Sequence, residues 1–454
     1  MIATPHKTNS SVQSYTEHVN PQWVRLLKLL QMDREYSVCT GAELHTTDGD
    51  ILLDFLSGYC VHNIGHNHPA IIDALHEELG RRGPAMLQSH VPDLAGDLGT
   101  RLCRLAGGQL EKAFFASSGS EGVEAAIKFS RATTGRDGLL SCDGAFHGLT
   151  CGALSLMSDP FWRGKFGRML ENTATVPFGN LEALHQKLKA KTYAAFIVEP
   201  IQSEAGIVVP PADYLEQAKE LCTRYGTLLV LDEVQTGLFR TGKFLAAHHF
   251  NVEPDMVVLA KALSGGLVPV SAVLMSDRVY SSVYDSLQRS IIHTSTFGEN
   301  ALSMRAGLAT LEVLVGERLG ARALAMGERL RSRLREELTG YEMVEEVRGL
   351  GMLSGIVFRA PKSLSLRLAF ESFRHIHPAM FGQVLVMRMF RDQNVLMQMC
   401  GNNFMVLKVA PPLVIENEQI DRFVRGIREV VHLAHHSTDF WTEAIGLAKR
   451  AVNA

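Results

Sequence analysis

Between about residues 75 and 325, short apolar runs alternate with longer stretches whose apolar positions recur every three or four residues. The strand-length runs are Lys112–Phe115, Gly138–Ser141, Ala194–Val198, Thr227–Leu231, Met256–Leu259 and Val270–Met275. Separated by amphipathic helices, they predict an α/β fold with a mostly parallel sheet covered on both faces. Upstream, Trp23–Leu30 has helical spacing, and a small hairpin follows with Asp48-Gly49 as its turn signal. Residues 1 to about 20 are polar and predict a mobile arm. After residue 325 the pattern shifts to long helices with fewer strands, which predicts a smaller α+β domain. The expected division is an N-terminal arm and small-domain segment over 1–75, a large domain over 76–325 and a C-terminal small domain over 326–454. The segment 359–383 is less regular, and a surface loop or pocket rim is expected there. The spacing His375-Ile-His377 could suit a metal, but the loop reading is preferred and no metal is expected.

Bulk numbers narrow the function classes without choosing one. A chain of 454 residues exceeds one ordinary core, so two or three domains sharing an interface are expected. A net charge of −3 with no long basic block gives no footprint for nucleic acid or an anionic membrane. Seven scattered cysteines without a CxxC pair favour reduced thiols in the cytoplasm over a disulfide framework. The first ten residues lack the apolar core of a signal peptide. No apolar stretch reaches the ~18 residues of a membrane span.

The candidate chemistry sits at strand ends. Lys261 follows the run Met256–Leu259 and precedes the turn Ser264-Gly-Gly266. Twenty-nine residues upstream, Asp232 ends the run Gly226–Leu231. Alone, such a lysine is usually a solvated cap and such an aspartate a helix N-cap. Together they point to pyridoxal 5'-phosphate. The lysine would hold the cofactor aldehyde as a Schiff base, and the aspartate would keep the pyridine nitrogen protonated so that the ring accepts electrons. Upstream again, Ala113–Phe115 leads into Ser117-Ser-Gly-Ser-Glu-Gly122 and a helical run. Small residues there let backbone N–H groups reach a phosphate, and the helix dipole favours its charge. Gly119 and Ser120 are the candidate phosphate ligands, with a plain capped helix start as the alternative.

The stretch Leu229-Val-Leu-Asp-Glu-Val-Gln-Thr-Gly237, with Arg240-Thr-Gly242 and Ala260-Lys-Ala-Leu-Ser-Gly-Gly266, resembles the class III aminotransferases. So do Gly65-His-Asn-His-Pro69, Ser118-Gly-Ser-Glu121, Phe146-His-Gly148, Val198-Glu-Pro200, Ser295-Thr-Phe-Gly298, Val347-Arg-Gly349 and Ala410-Pro-Pro-Leu413. These motifs occur in family order over roughly residues 40 to 435. The resemblance implies a fold-type-I, pyridoxal-phosphate-dependent transferase that works as a homodimer with shared active sites. It implies that Lys261, once displaced by the donor amine, is the base that moves the substrate proton. Phe146 would stack on the pyridine ring, with His147 in a supporting role. Gln235 would hydrogen-bond the phenolic oxygen, and Thr296 would reach the phosphate from the neighbouring subunit. One departure stands nearby: Gly298-Glu-Asn-Ala301 replaces the family's Gly-Gly-Asn-Pro.

Substrate choice is read from three further positions. Glu204 resembles the gate carboxylate that pairs with an arginine in ornithine-type members. The matching position here is Lys408, a point charge without the bidentate fork. Leu149 stands where ornithine and acetylornithine enzymes carry an arginine for a substrate carboxylate. Tyr59 resembles the tyrosine shaping the ornithine pocket, with a packed ring as the alternative. Val176-Pro-Phe-Gly-Asn180 resembles the putrescine branch. The expected reaction moves an amino group between a terminal primary amine, or its aldehyde, and a 2-oxo acid, with glutamate/2-oxoglutarate as partner. The segment 359–383 is longer than the family's usual connection and suggests a larger acceptor. Alternatives are an ornithine or acetylornithine-type aminotransferase, a same-fold aminomutase or decarboxylase, and a non-catalytic ligand-binding relative.

Overall fold

The structure is a computed structural model and describes residues 10–87 and 89–452. The first nine residues of the expected arm lie outside the described residues. From Ser10 on the chain is helical: Ser10–His18 forms one helix, and Pro21–Leu29 follows as a second. Asn20 caps that second helix by accepting from the Trp23 N–H at 3.0 Å, and Pro21 occupies the first turn, where its missing N–H costs nothing.

Three sheets organise the described residues. Strands β1 (Tyr36–Thr40), β2 (Glu43–Thr46) and β3 (Ile51–Asp54) form an antiparallel meander, turned at Asp48-Gly49 as expected. The central sheet contains β4 (Lys112–Ala116), β5 (Gly138–Cys142), β6 (Thr173–Val176), β7 (Tyr193–Val198), β8 (Leu228–Asp232), β9 (Met256–Leu259) and β10 (Ser271–Met275). Their order is β4-β10-β9-β8-β7-β5-β6. Strands β5 to β9 pair in parallel, whereas β10 runs antiparallel to both its neighbours. The reason is the short link between β9 and β10, residues 260–270, which cannot make the crossover that parallel pairing requires. Strand β6 was not among the expected strands; it lies at the sheet edge, and only Val176 of its four residues is buried.

The third sheet joins β11 (Val344–Leu350), β12 (Leu353–Phe358), β14 (Gln398–Cys400) and β15 (Asn403–Val409), all antiparallel. Between them β13 (Val395–Leu396) leaves to pair in parallel with Leu53-Asp54 of β3. The chain beyond residue 343 is thereby stitched to the N-terminal meander. The helix Leu319–Leu338 runs across residue 325 and packs on β11.

The segment 359–383 is not the expected loop. Leu364–Ile376 is an amphipathic helix that buries Leu366, Phe370 and Phe373, at i, i+4 and i+7. Its phenyl rings meet Trp441 of the helix Thr438–Val452, on which Phe381 also stacks. Ala360-Pro361 and Pro378 bracket the helix and mask its period in the sequence. Among the described residues, no helix is long and apolar enough to cross a membrane.

Candidate active site

Strands β4, β5, β7, β8 and β9 deliver their carboxyl ends to one edge of the central sheet, where an α/β fold binds ligands. A cavity of about 420 Å³ opens there. Asp232 is the last residue of β8, and Lys261 follows β9 by one residue; both line the cavity. Lys261 holds a left-handed φ of 47°, a costly conformation for a side-chain-bearing residue that tends to mark functional positions. Burial depresses the pKa of its ammonium, so a larger share is the free amine near neutrality.

Opposite Lys261, β4 runs into Ser117-Ser118 and the helix Gly119–Thr134. The Ser118 hydroxyl accepts from the Glu121 N–H, and the Glu121 carboxylate reaches back to the Ser117 N–H at 2.8 Å. This reciprocal cap leaves the Gly119 and Ser120 end of the helix facing the cavity. Two glycines keep that end open. A Cβ on Gly119 would lie 3.1 Å from the Val234 methyls, and one on Gly148 would collide with Ser120 Oγ.

Asp232 is nearly inaccessible and shares a 2.8 Å hydrogen bond with His147 Nδ1. Its other oxygen accepts from the Val234 N–H at 3.0 Å. Burial alone would lower the His147 pKa, but the hydrogen bond and charge of Asp232 carry it above the ordinary histidine range. The second ring nitrogen, Nε2, is buried without a partner. Beside this pair, burial pushes the Glu199 carboxyl up to about 7, and the Asp232 charge adds to the shift. Glu199 accepts from the Phe146 N–H at 3.1 Å and so fixes the backbone that carries the Phe146 ring.

Behind Gln235, Lys408 is fully buried and ion-paired to Glu204. Burial would lower the lysine pKa and raise the glutamate pKa, yet their mutual attraction reverses both shifts. Gln235 sits between them, accepting from Lys408 Nζ at 3.4 Å and donating to Glu204 Oε1 at 3.3 Å. The Tyr59 ring lies 5.9 Å from Lys408 Nζ, on a run in which Ser57, Gly58, Tyr59 and Cys60 all have positive φ. Arg240 holds that strained turn, donating to Ser57 Oγ, Asn63 and the carbonyls of Met352 and Pro411.

The cavity thus gathers Lys261, Asp232, Gly119, Ser120, Phe146 and Gln235. Glu204 and Lys408 lie one layer behind, next to Gln235. Leu149 is 55% exposed on the loop just beyond Gly148, where its N–H meets Ser120 Oγ at 3.3 Å. Thr296 is not brought to the cavity. It lines a separate hollow of about 850 Å³ with Leu87, His90, Phe115 and Ile291. Two contributors escaped sequence reasoning. The Val198-Glu-Pro200 motif flagged Glu199 without a role, and Trp162, which meets the Phe146 ring edge-on at 5.2 Å, lies in no motif. Only the tertiary fold brings Trp162 there. None of residues 359–383 lines the cavity, so the expected larger-acceptor role of that segment has no contact behind it.

The chain belongs to the class III aminotransferases: the family described as Aminotransferase class-III matches residues 30–431. Members of this family depend on pyridoxal phosphate. Aminotransferase PigE of Serratia sp. (strain ATCC 39006) is 34% identical over 461 residues, covering 95% of this chain and 54% of the relative. The chain therefore spans about half the length of that curated relative. Ornithine aminotransferase from Toxoplasma gondii, with pyridoxal phosphate partly occupying its active site, superposes with a TM-score of 0.79. It is 29% identical and the match covers 94% of this chain and 98% of its own. Acetylornithine aminotransferase from Elizabethkingia anophelis gives a TM-score of 0.71 at 28% identity, over 91% of this chain and 98% of its own. The residues present suit the cofactor: a half-buried lysine with a depressed pKa, a carboxylate tied to an otherwise unpartnered imidazole, and a glycine-lined helix start share one cavity.

Proposed function

We propose that this chain moves an amino group between a terminal primary amine, or the matching aldehyde, and a 2-oxo acid, with glutamate/2-oxoglutarate as the acidic pair. One observation carries the reading. A lysine buried beside the cavity is neutralised by a carboxylate that a substrate carboxylate could replace, since a buried cation requires an anionic partner. Bound pyridoxal phosphate supplies the electron sink for the carbanion. Lys261 would anchor the cofactor aldehyde and serve as the base that moves the substrate proton, tasks that its lowered pKa favours. Asp232, oriented by His147, keeps a proton on the ring nitrogen. Phe146 would pack against the cofactor ring, Gln235 would hydrogen-bond its phenolic oxygen, and Gly119 and Ser120 would hold its phosphate.

Leu149 favours a donor with an apolar or uncharged tail, since it offers no cation for an α-carboxylate. Thr296 acts in the site of a second copy. In support, Met86, Leu87, Val91, Ile291 and Phe297 are exposed near its hollow, an apolar surface suited to a homodimer interface. A reducing cytoplasm suits the four buried free thiols Cys60, Cys142, Cys222 and Cys400. The deciding experiment is a donor and acceptor screen on the purified protein. An oxo product formed with stoichiometric consumption of the acceptor supports the reading; product without acceptor consumption supports a decarboxylase or aminomutase.

A further inference from the structure

The two-residue turn Gly401-Asn402 between β14 and β15 belongs to no motif, yet it is wedged between the Trp162 indole and the Glu204 carboxylate. The Gly401 N–H donates to Glu204 Oε2 at 2.8 Å, and the Asn402 N–H to the Glu204 carbonyl at 2.9 Å. A Cβ on Gly401 would sit 3.0 Å from Glu204 Oε2 and 3.2 Å from Trp162 Cζ2, so only glycine fits without displacement. On its other side the turn is bolted down. Trp162 Nε1 donates to Asn402 Oδ1 at 2.6 Å, and Asn402 Nδ2 donates to the Gly144 carbonyl at 2.8 Å. Glu204 is therefore divided, one oxygen facing Lys408 and Gln235 and the other held by the turn.

We infer that this turn, fixed by Trp162 through Asn402, is a latch that sets how readily Glu204 leaves Lys408. It thereby sets the preference for carboxylate-bearing over carboxylate-free substrates. The inference rests on the gate role proposed above for Glu204 and Lys408. To uncover Lys408, Glu204 must give up the Gly401 N–H, because a turn anchored to an indole cannot follow the carboxylate. A looser turn would follow it and keep the bond. Trp162 is thus a positioning residue, acting on Glu204 through Asn402 and the turn.

Trp162→Phe keeps an aromatic ring against Phe146 and removes the N–H donor; Asn402→Ala removes the acceptor. Each is expected to lower the KM for 2-oxoglutarate roughly fivefold, the net worth of about one hydrogen bond, with a smaller change in the KM for the amine. In a Glu204→Gln background, Trp162→Phe should leave the acid KM where Glu204→Gln set it. If Glu204→Gln lowers the acid KM while Trp162→Phe and Asn402→Ala do not, the latch is overturned and the gate stands. If Glu204→Gln leaves the acid KM unmoved, gate and latch fall together.

Discussion

At the scale of single residues, the site depends on burial acting differently on each ionisable group. Lys261 is pushed toward the free amine, so Lys261→Ala should keep phosphate-anchored cofactor but lose turnover by several orders of magnitude. Borohydride reduction followed by peptide mapping checks the anchor, and label on any other lysine would refute it. Glu199 is shifted the other way, up to about 7. In the window from roughly pH 4.3 to 7 the folded chain keeps a proton that the unfolded chain releases, so this group makes stability fall as pH rises. Glu199→Gln should remove that fall, which is on the order of 1–3 kcal/mol between pH 5 and pH 8. Denaturant midpoints at the two pH values measure it, and parallel losses in both proteins would show that Glu199 is not the titrating group. Leu149→Arg should raise the specificity constant for ornithine relative to putrescine, by restoring a cation for the α-carboxylate. Lys408→Ala should chiefly impair the acidic partner. An unmodified enzyme that already prefers ornithine to every carboxylate-free amine would contradict the reading of Leu149.

At the scale of elements, legibility followed burial. Strands β5, β7, β8, β9 and β10 are readable because strands covered on both faces are continuous apolar runs. Strand β6, with its Thr-Ala-Thr-Val sequence at the sheet edge, carries no such run. The helix Leu364–Ile376 was hidden because its apolar stripe is interpretable only once Trp441 is in place to receive it. Lys261 and Asp232 were legible from their strand ends, whereas the His147–Asp232 pair and Trp162 depend on contacts between distant segments. Helix Gly119–Thr134 illustrates how tightly an element can be set. A Cβ on Gly122 would lie 2.7 Å from a Val258 methyl, so the helix rests directly on β9. Gly122→Ala should therefore push the cavity-facing helix end off the sheet, costing about 1–3 kcal/mol and weakening cofactor affinity together. Thermal unfolding and cofactor titration test it; a stability loss with unchanged cofactor affinity would mean that the helix start does not bind the phosphate.

At the scale of the whole molecule, the separation of Thr296 from the Lys261 cavity becomes a test of assembly. If each site borrows Thr296 from a second copy, mixing Lys261→Ala chains with Thr296→Ala chains creates hybrids with one site intact in both residues. Activity at limiting cofactor should then exceed that of either variant alone. No gain on mixing, with subunit exchange verified, would place Thr296 outside any shared site.

The pairing of β13 with β3 also governs the order of events during synthesis. Leu53 and Val395 are neighbours in the sheet but 342 residues apart in the chain, the difference of 395 and 53. At about 5–20 residues per second, a ribosome takes roughly 17 to 70 seconds to supply the missing partner. For that interval β3 would present an unsatisfied edge, the feature by which strands recruit wrong neighbours. The meander thus leaves the ribosome long before its last partner strand does, and chaperone demand should track that wait.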